Sequence, residues 1–212
     1  GAESGGTAIR KCTIHGKEIL LQSSYSVLSV FTKDVAGKWR FSHNIKGFSN
    51  LIKRLEVDPA GNIWANHMYK GVYRIQLNAT LDSVKELEYI TNPDSTRKES
   101  ALNVMMLRGR VVLTDGYQFY MYEDLSQKVV PFNELNNQFK GMGDTYRIVP
   151  VNNDLYWFIR SSEYVLVGFE NGRYEAKARI PFGLFDNPPI EDRGNIYVDE
   201  AGISYFCLNG GI

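Results

Sequence analysis

Residues 51–90 read LIKRLEVDPAGNIWANHMYKGVYRIQLNATLDSVKELEYI. Leu51 to Val57 predicts an inner strand, and Asp58-Pro59-Ala60-Gly61 a tight turn. Proline presets φ near about −65°, and glycine fills the position that other residues resist. Ile63 and Trp64 open a second strand, and the HMYKG turn leads into a third, Val72 to Leu77. Within that strand Val72, Arg74 and Gln76 share one face, and Tyr73, Ile75 and Leu77 the other. Val84 to Ile90 makes an outer, more polar strand. Trp64 reads as a residue that packs between neighbouring units, because a large indole with a polar handle suits a buried seam.

The same arrangement recurs along the chain. GKEILLQSSYSVLSVF starts at Gly16, GNIWANHMYKGVYRIQL at Gly61 and GRVVLTDGYQFYMY at Gly109. NDLYWFIRSSEYVLVGF starts at Asn153 and GNIYVDEAGISYFCL at Gly194, so the starts are 45, 48, 44 and 41 residues apart. A period of about 40–50 residues made of strands and turns is what one blade of a β-propeller consumes. One blade cannot bury both faces of its sheet, so neighbours must stack around an axis. The 13 Tyr, 11 Phe and 3 Trp favour strands. No stretch of twelve or more residues holds a helical apolar period, and only FNELNNQF (132–139) predicts a short helical turn. The expected fold is therefore all-β, a partial β-propeller of about four to five blades of four-stranded antiparallel sheets.

The stretch from Leu55 to Ile75 resembles the two-component regulator propeller repeat. Asp58, Gly61, Ile63, Trp64, Gly71, Tyr73 and Arg74 fill its positions in order, while the third unit has Val112 and the fifth Tyr197 in place of the tryptophan. The resemblance covers most of the chain as architecture but about twenty residues as motif. It implies the extracytoplasmic, periplasmic sensor region of Bacteroidetes-type hybrid two-component or triple-tyrosine transcriptional regulators. Such regions hold more blades and continue into a β-sandwich, so residues 7–212 read as a propeller fragment of a sensor domain. Residues 1–6 (GAESGG) read as a flexible lead or expression scar. A closed five-bladed ring is the alternative, and it would bring the strands of Cys12 and Cys207 together.

Composition narrows the function. With 24 basic and 24 acidic residues the chain carries no net charge, which argues against nucleic acid as a partner of this fragment. No apolar run is long enough to cross a bilayer, so membrane linkage is expected only through segments outside this chain. Two cysteines are too few for a disulfide scaffold, and both lie in apolar strand-like stretches, reading as buried free thiols. A phosphate loop, HExxH, GxSxG and EF-hand ligands are all missing from the sequence. Gly141-Met142-Gly143 reads as a turn. Ser95-Thr96-Arg97-Lys98 spells SxxK in a polar loop without a helix to aim the lysine. His15, His43 and His67 offer no metal-pair spacing, and His15 and His67 read as exposed residues near turns. Glu191-Asp192 and Asp199-Glu200 are sequence neighbours that point to opposite faces of a strand, so neither pair is a glycosidase dyad. The expectation is no enzyme, no cofactor and no metal.

A ligand would meet the turns that join second to third strands: SSYS, HMYK, DGYQ, RSSE and DEAG. Tyr25, His67, Tyr69, Tyr117 and Arg160 are the candidate ligand-binding residues. Asp115, Glu163, Asp199 and Glu200 stand in the same turns. Tyrosine offers a flat apolar face with a polar tip, suited to sugar rings or a protein partner. Arg160 could take a carboxylate or sulfate, or simply pair with Glu163. The expected function is signal input by binding a small molecule or an oligosaccharide, a glycan or its breakdown product, which shifts a homodimer. The competing readings are a protein–protein interaction scaffold and, third, a glycan-cleaving propeller.

Overall fold

The computed structural model describes residues 8–24, 27–97, 100–190 and 193–210. The chain divides into two compact units, Gly1–Val104 and Met105–Ile212.

The first unit holds two four-stranded antiparallel meanders. One is β1 (Ala8–Ile14), β2 (Lys17–Ser23), β3 (Leu28–Lys33) and β4 (Trp39–Asn44); the other is β5 (Ile52–Val57), β6 (Ile63–His67), β7 (Val72–Leu77) and β8 (Val84–Ile90). The strands expected at 72–77 and 84–90 form with those bounds. Inward residues of both sheets, among them Ile14, Leu21 and Val30 against Ile52, Leu55, Ile63 and Ile75, make one core in which each is almost fully buried. Burying a side chain of that size stabilises by about 1.5–3 kcal/mol. The first strands β1 and β5 lie side by side, bridged by Arg10 to Glu56 at 2.6 Å. His15 stands exposed in the β1–β2 turn, as expected, with a ring nitrogen on the Leu77 carbonyl (3.2 Å), and His43 in β4 places one on the Leu81 carbonyl (2.9 Å), so both link the two sheets. Cys12 and Cys207 are both free thiols, half-buried rather than buried, and burial pushes the Cys12 thiol up to about 11.

The second unit holds two further meanders and a hairpin. The third sheet is β9 (Asn103–Leu107, which begins just ahead of the unit boundary), β10 (Arg110–Thr114), β11 (Phe119–Glu123) and β12 (Lys128–Pro131). The expected helical turn follows as α1 (Asn133–Gln138), its one buried side chain Leu135 turned into the core. The fourth sheet is β13 (Arg147–Pro150), β14 (Leu155–Ile159), β15 (Glu163–Glu170) and β16 (Arg173–Pro181); β17 (Asn195–Val198) and β18 (Ser204–Cys207) form the hairpin.

The hairpin corrects the reading of the fifth repeat. Strand β17 lies beside β13 as β5 lies beside β1, so it is a first strand. Its turn repeats three bonds of the β5–β6 turn. Asp58 Oδ1 accepts the Asn62 amide, Gly61 N–H donates to the Asp58 carbonyl, and the Trp64 indole N–H donates to Asp58 Oδ2 at 2.8 Å. Asp199 Oδ1 accepts the Ile203 amide, Gly202 N–H donates to the Asp199 carbonyl, and the Tyr205 hydroxyl donates to Asp199 Oδ2 at 3.2 Å. Gly61 and Gly202 both sit at positive φ, 85° and 82°. DEAG therefore joins first to second strands, at the opposite end of its sheet from the second-to-third turns.

Tyr164, fully buried between β14 and the hairpin residues, has a hydroxyl without a hydrogen-bond partner among the described residues. Burial pushes that phenol from 10.0 up to about 12. The raised value means the folded protein holds its proton while the unfolded chain loses it, so stability falls as pH rises from about 10 to 12. We expect the melting temperature to drop through that window and the drop to shrink in Tyr164→Phe, which keeps wild-type stability at pH 7. An equal alkaline drop in Tyr164→Phe would show that other groups cause it.

Candidate functional site

In an antiparallel meander the first-to-second and third-to-fourth turns share one end of the sheet, and the second-to-third turn occupies the other. In the first unit that other end carries the 67–71 turn. His67 N–H donates to the Gly71 carbonyl at 2.9 Å, and Lys70 O accepts from Leu102 N–H at 2.7 Å. Just before the turn, buried Asn66 donates to the Leu102 carbonyl and accepts the Val104 amide, which ties turn and following chain together. The Tyr69 amide reaches His67 Nδ1 at 3.4 Å.

Two residues outside the sequence-based set complete this site. Tyr73 and Tyr89 are directly opposed across β7 and β8, with ring centroids 4.8 Å apart. His67 packs edge-on against Tyr69, Tyr73 and Tyr89 at 5.9, 5.8 and 6.1 Å. The Tyr89 hydroxyl accepts from Gly71 N–H at 3.2 Å, and a β-carbon on Gly71 would stand 2.8 Å from that ring. Glycine at 71 is what lets Tyr89 lie over the turn. Tyr69 is 69% exposed and Tyr89 45%, while burial raises the Tyr73 hydroxyl above its ordinary range. The result is an aromatic shelf built on a hydrogen-bonded turn, with the Tyr69 ring its most exposed member and the Tyr89 hydroxyl tied to the Gly71 amide.

In the second unit, the loop Gly141 to Thr145 brings Tyr117 and Arg160 to its two sides. It is a turn, as expected: Met142 and Thr145 amides donate to the carbonyls of Phe139 and Met142. Asp115, 4% exposed, organises the Tyr117 turn by accepting the Tyr117 and Gln118 amides and the Tyr120 hydroxyl. The Tyr117 ring is 63% exposed. Arg160 is engaged internally. It donates to Asp144 at 2.7 Å, to the Gly141 carbonyl at 2.6 Å and to Glu163, which Arg179 also reaches at 2.7 Å. The pairing with Glu163 that its spacing allowed is thus present, and any anion at Arg160 would compete with two carboxylates.

Tyr25, Lys98 and the Glu191-Asp192 pair lie outside the described residues, as does the 1–6 lead. Among the described residues, no three His, Cys, Asp or Glu side chains converge where an ion could sit. None of the described helices is long and apolar enough to cross a membrane.

The chain aligns with solved β-propellers over nearly its whole length, and it is a partial β-propeller. No family model and no curated protein sequence matches it. Virginiamycin B lyase from Staphylococcus aureus matches with a TM-score of 0.56 and 14% identity, over 96% of this chain and 63% of the lyase. A candidate 6-phosphogluconolactonase from Bacteroides fragilis matches at 0.61 and 10%, over 95% and 63%. The extracellular domain of a candidate hybrid two-component system from B. thetaiotaomicron matches at 0.54 and 11%, over 98% of this chain and 28% of that one. The chain thus spans less than two thirds of each of these proteins. At such identities the likeness is one of fold. It nonetheless corrects one expectation. A lyase and a candidate lactonase share this scaffold, so the lack of familiar catalytic motifs does not exclude enzymatic chemistry.

Proposed function

We propose that the chain is the ligand-sensing propeller of a membrane-linked transcriptional regulator, placed in the periplasm. Its second-to-third-turn surface contacts a glycan or a glycan breakdown product. The observation that carries this reading is the shelf of His67, Tyr69, Tyr73 and Tyr89. Partly exposed tyrosine rings, Tyr69 above all, offer flat apolar surface that matches the apolar face of a pyranose ring. Within the second unit, taken by itself, Tyr117 and Arg160 stand at its own second-to-third turns and offer a separate contact of the same kind. The likeness to the extracellular domain of a candidate hybrid two-component system supports the sensor role. Binding would shift the arrangement of a homodimer, the energy coming from the ligand's preference for one arrangement.

A panel of neutral and acidic oligosaccharides titrated calorimetrically tests this. We expect a bound oligosaccharide, with affinity about tenfold weaker in Tyr69→Ala and in His67→Ala, the value of one aromatic contact of about 1.5 kcal/mol. Binding that neither substitution changes would move the site elsewhere. Chromatography of the same mixtures reads any conversion of the sugar, and turnover would replace the sensor reading with an enzymatic one.

A further inference from the structure

The geometry points to a second binding site, between the third and fourth sheets of the second unit, for a small ring-bearing organic anion. A cavity of about 300 Å³ opens there, lined by Arg108, Arg110, Phe132, Glu134, Phe169 and Tyr174. Its volume is at the small end of the about 300–1,000 Å³ typical of small-molecule pockets, room for a single six-membered ring.

The lining sets the charge. Two guanidiniums face one carboxylate, a local surplus of positive charge in a chain whose net charge is zero. The carboxylate beside Arg108 is Asp154, 3.8 Å away and 62% exposed, so that contact is screened, and the Arg108 side chain also hydrogen-bonds the Tyr174 hydroxyl. Among the described residues no carboxylate pairs with Arg110, whose Nη1 has the Met121 sulfur at 3.6 Å. That leaves Arg110 with a fork of donors suited to a carboxylate or sulfate.

The lining also sets the shape. Arg108 stacks on the Phe169 ring at 3.5 Å, and Arg110 stands 5.8 Å from the Phe132 ring centre. Phe132 and Tyr174 are largely buried, so these faces are held in place by the core rather than by the ligand. A flat ring lies against this guanidinium and aromatic lining while its acidic group takes Arg110, which no carboxylate among the described residues pairs, and Glu134 accepts a ring hydroxyl where the ligand carries one. The site is separate from the Gly141–Thr145 loop and its turns, and it does not depend on the sensor reading.

Four probes separate the parts of this inference: glucuronate, benzoate, glucose and inorganic sulfate, followed by amide chemical shifts of the labelled protein. Glucuronate or benzoate, or both, should shift the amides of residues 108–110 and 174, and Arg110→Gln should weaken that binding about tenfold. Arg110→Lys, which keeps the charge and loses the fork, should fall between. If glucuronate alone binds, the ligand is an acidic sugar, and if benzoate alone binds, an aromatic acid. Glucose binding as well as glucuronate, sulfate binding as tightly as either ring acid, or binding unaltered in Arg110→Gln would each overturn the proposal. So would the absence of shifts at these residues with all four probes. Tyr69→Ala should leave this binding unchanged, which separates it from the turn-face site.

Discussion

Gly143→Ala destabilises the second unit by about 3 kcal/mol, the upper part of the range for overpacking, because the obstruction is backbone rather than a movable side chain. A β-carbon at 143 would stand 1.9 Å from the Tyr117 carbonyl carbon and 2.2 Å from the Gln118 nitrogen. Neither atom can retreat cheaply. Buried Asp115 holds both amides of that turn, and the adjacent Thr114 hydroxyl donates to the Thr145 carbonyl at 3.0 Å. Gly183 supplies the control, since a β-carbon there meets nothing within 4 Å and its φ lies outside the left-handed region. Gly183→Ala should leave stability unchanged or raise it slightly by restricting the unfolded chain. Urea denaturation reads the difference. Hydrogen exchange at the 117, 118 and 145 amides locates it, with protection lost in Gly143→Ala alone. Equal midpoints for the two variants would mean that the loop moves aside without cost, and the Tyr117 turn is not held as described.

How much of this was legible beforehand depended on how local the cause was. The second sheet could be read because each boundary has a nearby reason: the Asp58-Pro59-Ala60-Gly61 turn, the β-branched and aromatic run from Val72, the charged outer strand from Val84. The first four repeat starts all fall in first-to-second turns. The fifth was displaced by one strand because Gly194 and Tyr197 imitate Gly61 and Trp64. The better guide was an aspartate, a glycine three residues on and a donor six residues on, which selects Asp199, Gly202 and Tyr205 and passes over Glu191, Gly194 and Tyr197, where the acid is a glutamate. The site was less legible. His67 and Tyr69 follow from their turn, but Tyr73 and Tyr89 meet through the β7–β8 register, which no local signal states. The crowding of Gly143 on Tyr117 and the cavity between the third and fourth sheets arise from packing between segments far apart in sequence.

The aspartate–glycine–donor turn also yields a graded prediction, because among the described residues it occurs three times with different burial. Asp34 accepts the Ala36 and Lys38 amides and the Arg40 Nε at 3.1 Å, with Gly37 at positive φ, so it repeats Asp58 and Asp199 on the surface. The donors differ: Trp64 is 1% exposed, Tyr205 is 38% exposed, and the Arg40 side chain is 67% exposed. Removing the acceptor from an exposed donor lets water replace it, whereas a buried indole N–H left without a partner costs its desolvation. Asp58→Ala should therefore lose about 3 kcal/mol, counting the Trp64 indole and the Asn62 side chain, which donates to the same oxygen at 2.8 Å. Asp58→Asn should lose nearly as much, because whichever way its amide turns, an N–H₂ faces a donor. Asp34→Ala and Asp199→Ala should barely move the urea midpoint. Trp64→Phe removes the donor and keeps most of the ring, so Asp58→Ala should cost less in that background than in the wild type. Additive losses would mean that Asp58 acts on the turn alone and that the indole bond contributes nothing. Equal losses for all three aspartates would mean that the turn geometry, rather than the buried donor, carries the stability.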